Sequence, residues 1–171
     1  LGMKEATFHP NEAQRARLAR PFPNDPLTGK PQSIKLLDTP TRFDCGGACS
    51  FATVGDYVRF GQMLLNGGEL DGKRYLSPAA FKDMTRDHIG PGSGVGRDYW
   101  YFPGDGFGYG YGIAVRTDPG IARPPPPGSI GELKWDSGSG TYFGVDPKLD
   151  MIYIMLEQTQ NAQLTGTSDA Q

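Results

Sequence analysis

Few residues of this 171-residue chain have the type and spacing that chemistry needs. The two histidines, His9 and His88, lie far apart in sequence. Cys45 and Cys49 stand in a C-x3-C pair with no second pair, and a closed zinc site takes four ligands, so no metal site is expected. The pair reads as two small, partly buried thiols beside a glycine turn, with a local disulfide as the alternative. Gly92-Ser93-Gly94-Val95-Gly96 is glycine-rich, but no strand pattern runs into it and no helix pattern leaves it. It also lacks the Lys-Ser/Thr pair of a phosphate loop. Ser137-Gly138-Ser139-Gly140 falls short of a G-x-S-x-G nucleophile elbow, because a serine stands two residues before Ser139 and no helix follows. With no histidine near it in sequence, the string reads as a turn between strands. No serine is followed by lysine three residues on, and no tyrosine by asparagine two residues on; Tyr75-Leu76-Ser77 meets the Y-x-S spacing only inside a hairpin. No cofactor is implied.

Two segments could bind rather than react. Tyr99-Trp100-Tyr101-Phe102 is an aromatic loop. Pro124 to Pro127 could dock as polyproline II on an aromatic groove, although a proline run between two strands reads more readily as a stiff connector. A net charge of −2 disfavours a basic nucleic-acid binder. The longest apolar run, Met151 to Leu156, is far too short to span a membrane, and no secretory signal opens the chain. The compartment is left unassigned.

The elements that would position a site are short. Gly 25 and Pro 15 make up nearly a quarter of the chain, twice the ~12% of average usage, so turns and loops dominate. Asn11 to Arg20 can form a short helix, stopped by Pro21, Pro23 and Pro26, and Leu27 to Pro31 reads as a turn. Thr53-Val54-Gly55-Asp56 approximates a capping box, and Tyr57, Phe60, Met63 and Leu64 recur at helical spacing as far as the Gly67-Gly68 stop. Glu69 to Leu76 predicts a hairpin turning at Asp71-Gly72, and Ser77-Pro78 starts a helix with Phe81 and Met84 inward. Phe107 to Val115 alternates large apolar residues with glycine, the pattern of a strand with one bare face that lets another element approach closely. Further strands are expected at Ile130 to Trp135, Thr141 to Val145 and Met151 to Leu156, the last buried on both faces. Helices followed by a run of strands indicate an α+β fold with an antiparallel sheet.

From Gly46-Gly47-Ala48 through Asp56-Tyr57-x-Arg59-Phe60-Gly61-Gln62-Met63-Leu64-Leu65-Asn66-Gly67-Gly68-Glu69-Leu70-Asp71-Gly72-Lys73-Arg74 to Leu76-Ser77-Pro78, the chain resembles the serine β-lactamase-related hydrolases, which include class C-like esterases and penicillin-binding-protein relatives. Leu1-Gly2-Met3 resembles a step that follows the helical region of that family. Phe107-Gly108-Tyr109-Gly110 resembles a strand of its sheet. Trp135 to Pro147, with Gly140-Thr141-Tyr142-Phe143 and Val145-Asp146-Pro147, resembles its W-G-G hairpin. The resemblance implies a β-lactamase/transpeptidase-like fold, and an acyl-serine mechanism built on an S-x-x-K serine, a Y-x-N or Y-x-S tyrosine and a third motif on a sheet strand.

The first two motifs lie upstream of the Leu1-Gly2-Met3 step in the family and are expected upstream of Leu1, so no catalytic residue is expected in this chain. Trp135-Asp136-Ser137 occupies the place of the third motif, with Asp136 and Ser137 departing from Gly-Gly and adding charge and bulk at the pocket edge. Gly138 is the candidate backbone donor to an oxyanion. Residues 1–50 are expected to be a loop-rich segment from the helical region and 51–171 the helices and strands of the core, together one partial domain. The resemblance thus implies the C-terminal part of an ester, amide or lactam hydrolase, inactive alone. Its sheet, closed in the family by strands and helices from elsewhere, is expected to leave Met151 to Leu156 with an uncovered face or edge and the isolated chain prone to self-association. Two alternatives stand beside it: a non-catalytic module using the aromatic and proline loops, and an enzyme complete in this chain acting through Ser139.

Overall fold

The computed structural model describes residues 1–26, 28–34, 37, 42–44, 46, 49–90 and 106–158. Helix α1, Glu12–Arg15, is capped by Asn11, whose side chain accepts the Gln14 N–H while the Gln14 side chain accepts that of Asn11. It is shorter than the expected helix over 11–20. It buries no residue, and without an inward face nothing carries it beyond the capped turn. The turn after Pro26 is closed by an Asn24–Pro31 bridge and an Asp25 N–H to Lys30 C=O bond of 2.8 Å. Cys49 is disulfide-bonded, which corrects the reading as free thiols in favour of the alternative; Cys45 lies outside the described residues.

Helix α2, Val54–Leu65, starts where the Thr53 hydroxyl accepts the Asp56 N–H at 3.1 Å. The capping box is only half made. The buried Asp56 carboxylate does not turn back to Thr53 but accepts the Glu5 N–H at 2.7 Å, tying the first residues to the helix. Met63 and Leu64 are buried, and the half-buried rings of Tyr57 and Phe60 lie 4.9 and 5.7 Å from that of Phe143. Gly68 N–H to Met63 C=O and Gly67 N–H to Leu64 C=O close the helix in a Schellman motif, both glycines at positive φ. The expected hairpin follows as β1, Glu69–Leu70, and β2, Lys73–Arg74, with Asp71 and Gly72 both at positive φ as a primed turn requires. Ser77 caps α3, Pro78–Met84, whose Phe81 and Met84 pack against the core.

Five strands form one antiparallel sheet in the order β3 (Phe107–Tyr109), β4 (Ala114–Arg116), β5 (Leu133–Asp136), β6 (Tyr142–Asp146) and β7 (Met151–Met155). The segment expected as a single strand over 107–115 is a hairpin, with Phe107 opposite Arg116 and Tyr109 opposite Ala114. Gly112, at φ +76, turns the chain, and the apolar alternation runs on through the turn unchanged. The strand expected from Ile130 begins at Leu133, after Gly131 at φ +93 and with Ile130 exposed. The strand at 151–155 is not buried on both faces: it is the terminal strand of the sheet and exposes Met151 and Met155. Its Ile152 and Ile154 pack toward α2, which lies over β6 and β7. Leu70, Ile113, Val115, Leu133, Phe143 and Val145 complete the core with Met63 and Leu64.

A buried polar network crosses the sheet. Arg116 Nε donates to the Glu132 carboxylate at 2.9 Å, and its terminal nitrogens donate to the carbonyls of Pro126 and Pro127 at 3.2 and 2.9 Å. The Tyr153 hydroxyl donates to the other Glu132 oxygen, and burial followed by that carboxylate pushes the phenol well above its ordinary pKa. The proline run is thus fastened at its end to the sheet, as a connector requires.

Candidate functional site

Trp135 and Asp136 end β5, and Ser137 and Gly138 open the turn to β6. The turn is closed by Ser137 N–H to Thr141 C=O and Gly140 N–H to Ser137 C=O, both 2.9 Å, while the Ser137 hydroxyl accepts the Ser139 N–H. The expected Gly/Ser turn therefore forms, and Ser137 and Ser139 are tied into it. Gly138 is exposed at the tip, a Cβ there would meet nothing within 4 Å, and among the described residues its N–H takes no partner. Trp135, Asp136 and Ser137, expected as the third motif, thus run from the end of β5 into the turn, and the Gly138 amide that follows them is open three residues beyond the indole.

Trp135 is half-buried. It stands opposite Phe143 on β6, but the β4–β5 ladder ends with Ala114 opposite Lys134, one residue short of it. The Tyr109 ring meets the indole on that side, with centroids 5.2 Å apart and planes at 49°. Asp136 is exposed and stands opposite Tyr142. Beside it Lys134 places its ammonium 4.0 Å over the Phe107 ring and 5.9 Å from that of Tyr142. Burial lowers the Lys134 pKa, and the charge of Asp136 opposes that shift. The C-terminal end of β5 thus holds a partly desolvated cation and an exposed carboxylate side by side.

The tail of α3 grips β3 at the same end of the sheet. Tyr109 N–H donates to Asp87 Oδ1 at 3.0 Å, its carbonyl accepts the His88 N–H at 2.8 Å, and Tyr111 N–H donates to the Met84 carbonyl at 3.0 Å. A Cβ on Gly108 would collide with the Asp87 carboxylate, and one on Gly110 with the Met84 carbonyl oxygen. The bare glycine face thus admits a neighbour, as the sequence pattern suggests. His88 Nε2 donates to the Asp83 carbonyl at 2.8 Å, and its ring stacks on Tyr111 at 4.2 Å, so His88 is spent on structure. Asp87 carries no motif, and Tyr109 stands only in a strand string; the glycines on either side of Tyr109 are the signal that another element packs there.

The two expected binding loops fare differently. Tyr99 to Phe102, like Gly92 to Gly96, lies outside the described residues, whereas the proline run is held by Arg116. Among the described residues no group of three or more His, Cys, Asp or Glu could hold a metal, and no helix is long and apolar enough to cross a membrane.

The Beta-lactamase family model matches residues 1–170. The chain belongs to the Beta-lactamase family. Two Mycobacterium tuberculosis relatives, Uncharacterized protein MT1414 and Protein Rv1367c, are each 36% identical over 125 residues, covering 70% of this chain and 30% of their own length. The chain thus spans about a third of those relatives. Among solved structures it is similar to simvastatin synthase (LOVD) from Aspergillus terreus in its LovD6 mutant form. That match has a TM-score of 0.70 and 17% identity, over 94% of this chain and 42% of that one. A second is EstCE1, a hydrolase with promiscuous acyltransferase activity, with a TM-score of 0.56 and 22% identity over 80% of this chain and 33% of that one. At these identities the structures speak for the fold, and it is the expected one: α+β, β-lactamase/transpeptidase-like, with an antiparallel sheet and flanking helices. The resemblance to the β-lactamase-related family is therefore correct.

Proposed function

We propose that this chain is the C-terminal part of a serine hydrolase of the β-lactamase-related type, acting on a small-molecule ester, amide or lactam through an acyl-serine. The reading rests on one observation above others: an unengaged Gly138 amide at the tip of the turn that follows Trp135. A backbone N–H held on a closed turn is pre-aimed, so it can stabilise an oxyanion without reorganising as charge develops. In this reading Trp135 walls the pocket, Gly138 is one oxyanion donor, and Asp136 and Ser137 set the charge and bulk of the rim. The serine, its lysine and the tyrosine come from sequence that this chain does not contain. Residues 1–50 and 51–171 act as parts of one domain, which is supported by the Thr7–Phe51 bridge and the Glu5–Asp56 bond. Neither a cofactor nor a nucleic acid has a role in this chemistry.

The nature of Trp135 favours esters over lactams. In the family forms that carry K-T-G, a lysine offers its cation to a substrate carboxylate at this place; an indole offers none, and Asp136 beside it repels an anion.

The test uses this chain with a chromogenic cephalosporin, a p-nitrophenyl ester and a fluorophosphonate probe. Loss of the nucleophile alone removes about 10⁶ of the rate, so we expect no burst, no turnover above buffer and no labelled serine. Joining the chain to a segment that bears S-x-x-K and the tyrosine restores ester hydrolysis more than lactam hydrolysis, and Trp135→Ala then slows acyl transfer more than it destabilises the fold. Labelling of Ser137 or Ser139 in the chain alone overturns the reading in favour of a self-contained enzyme.

A further inference from the structure

We infer that Tyr109, held by Asp87, is a positioning residue for Trp135, and that the α3 tail thereby helps set the pocket wall. This rests on the reading that Trp135 edges an acyl-transfer site. The indole stands one residue past the last pair of the β4–β5 ladder, and the tilted Tyr109 ring meets it with centroids 5.2 Å apart. Tilted aromatic pairs hold a preferred geometry, because the positive edge of one ring meets the negative face of the other. The Tyr109 phenol, its pKa raised by burial, stays neutral and serves as a flat wall.

Tyr109 is itself fixed from the side away from Trp135. It belongs to the terminal strand β3, whose outward backbone groups would be free, yet its N–H and C=O are taken by Asp87 and His88. The Asp87 carboxylate also accepts the Ile89 N–H at 3.0 Å, so one side chain clamps both the strand and the segment that leaves the helix. It can sit over the strand only because Gly108 has no side chain. The chain of contacts therefore runs from the α3 tail through Asp87 and Tyr109 to Trp135, and along β5 to the Gly138 amide.

A displacement of the wall moves that amide relative to the acyl carbon. Displacements of about 1 Å at a reacting centre cost up to about 10²-fold in rate. The interaction lost is one made in the transition state, so the loss falls on kcat rather than KM.

The experiment has a spectroscopic and a kinetic arm. In a Trp100→Phe background Trp135 is the sole indole of the two in the chain. Tyr109→Leu and Asp87→Ala are expected to shift the Trp135 emission and near-ultraviolet circular dichroism and to raise its quenching by acrylamide, with the far-ultraviolet spectrum unchanged. Tyr109→Phe, which keeps the ring, is expected to match the parent. Asp87→Ala retains both rings, so it decides the matter if Tyr109→Leu fails to fold. An unchanged Trp135 signal in the folded variants overturns the inference. In the chain joined to its serine and tyrosine motifs, Tyr109→Leu is expected to lower kcat about tenfold with KM nearly constant, and Tyr109→Phe to restore it. If Trp135→Ala slows acyl transfer and Tyr109→Leu does not, the positioning role is overturned. If Trp135→Ala changes no rate while the spectral coupling holds, the pocket reading fails and the Tyr109–Trp135 coupling stands.

Discussion

The two ends of the sheet treat their backbone in opposite ways. At the β3 end the α3 tail closes over the outer strand: Asp87 and His88 take the amide and carbonyl of Tyr109, and Met84 takes the amide of Tyr111. At the β7 end no described residue pairs with the outer edge, and Met151, Met155 and the following Leu156 are exposed. An unpaired strand edge is a template for another strand. Tyr109, held at the closed end, reaches across to meet the indole of Trp135 on the central strand β5. The open end has a packed inner face under α2 and, among the described residues, no cover on its rim. The difference teaches that closure here is made by polar side chains and backbone groups dropping into glycine positions rather than by more apolar area.

Phe60→Ala tests how far the open end depends on its helix. Phe60 packs against the rings of both Tyr57 and Phe143, and removing a packed aromatic ring costs about 3 kcal/mol or more. We expect a lower denaturation midpoint; an unchanged midpoint would mean that α2 does not anchor this side. Gly110→Ala breaks the closed end instead. Its Cβ would overlap the Met84 carbonyl, and because that neighbour is backbone the hairpin or the α3 tail must shift, a cost of about 1–3 kcal/mol. Hydrogen exchange should accelerate at the amides of Tyr109 and Tyr111 and stay as before on β7; uniform acceleration would show that the two ends are not separable. The smallest effect on stability belongs to Met155→Lys. At an exposed position the change is within about 0.5 kcal/mol, yet a lysine on an open edge opposes strand addition. The isolated chain is expected to self-associate by light scattering, and this variant to do so less. A parent that is monomeric at all concentrations removes the distinction between the ends.

What was legible in the sequence follows the range of the interaction that decides it. The Thr53 and Ser77 caps, the Gly67-Gly68 stop and the Asp71-Gly72 turn are settled within three or four residues, and each forms where the pattern puts it. The hairpin at 107–116 was not legible as two strands, because alternation continues through Tyr111-Gly112 and a positive φ leaves no mark on periodicity. The exposure of β7 depends on what covers it, which an apolar run does not state. Arg116 and Glu132 form their ion pair sixteen residues apart and carry no local sign of it. At the candidate site, Trp135 to Gly138 were reached through resemblance alone, whereas Tyr109 and Asp87 needed the fold to bring them together.

Glu132 has a consequence for assembly. Its two carboxylate oxygens are claimed by Arg116 on β4 and Tyr153 on β7, so a single buried charge spans the sheet from its second strand to its last. If β7 slid by two residues along β6, Met151 or Met155 would replace the phenol and leave one oxygen of that charge without a donor, a cost of the order of 1–3 kcal/mol or more. The outermost strand is therefore set to a fixed height although no described residue grips its rim. A segment that docks there meets a ruler already aligned with β5, and through β5 with the turn that holds Gly138.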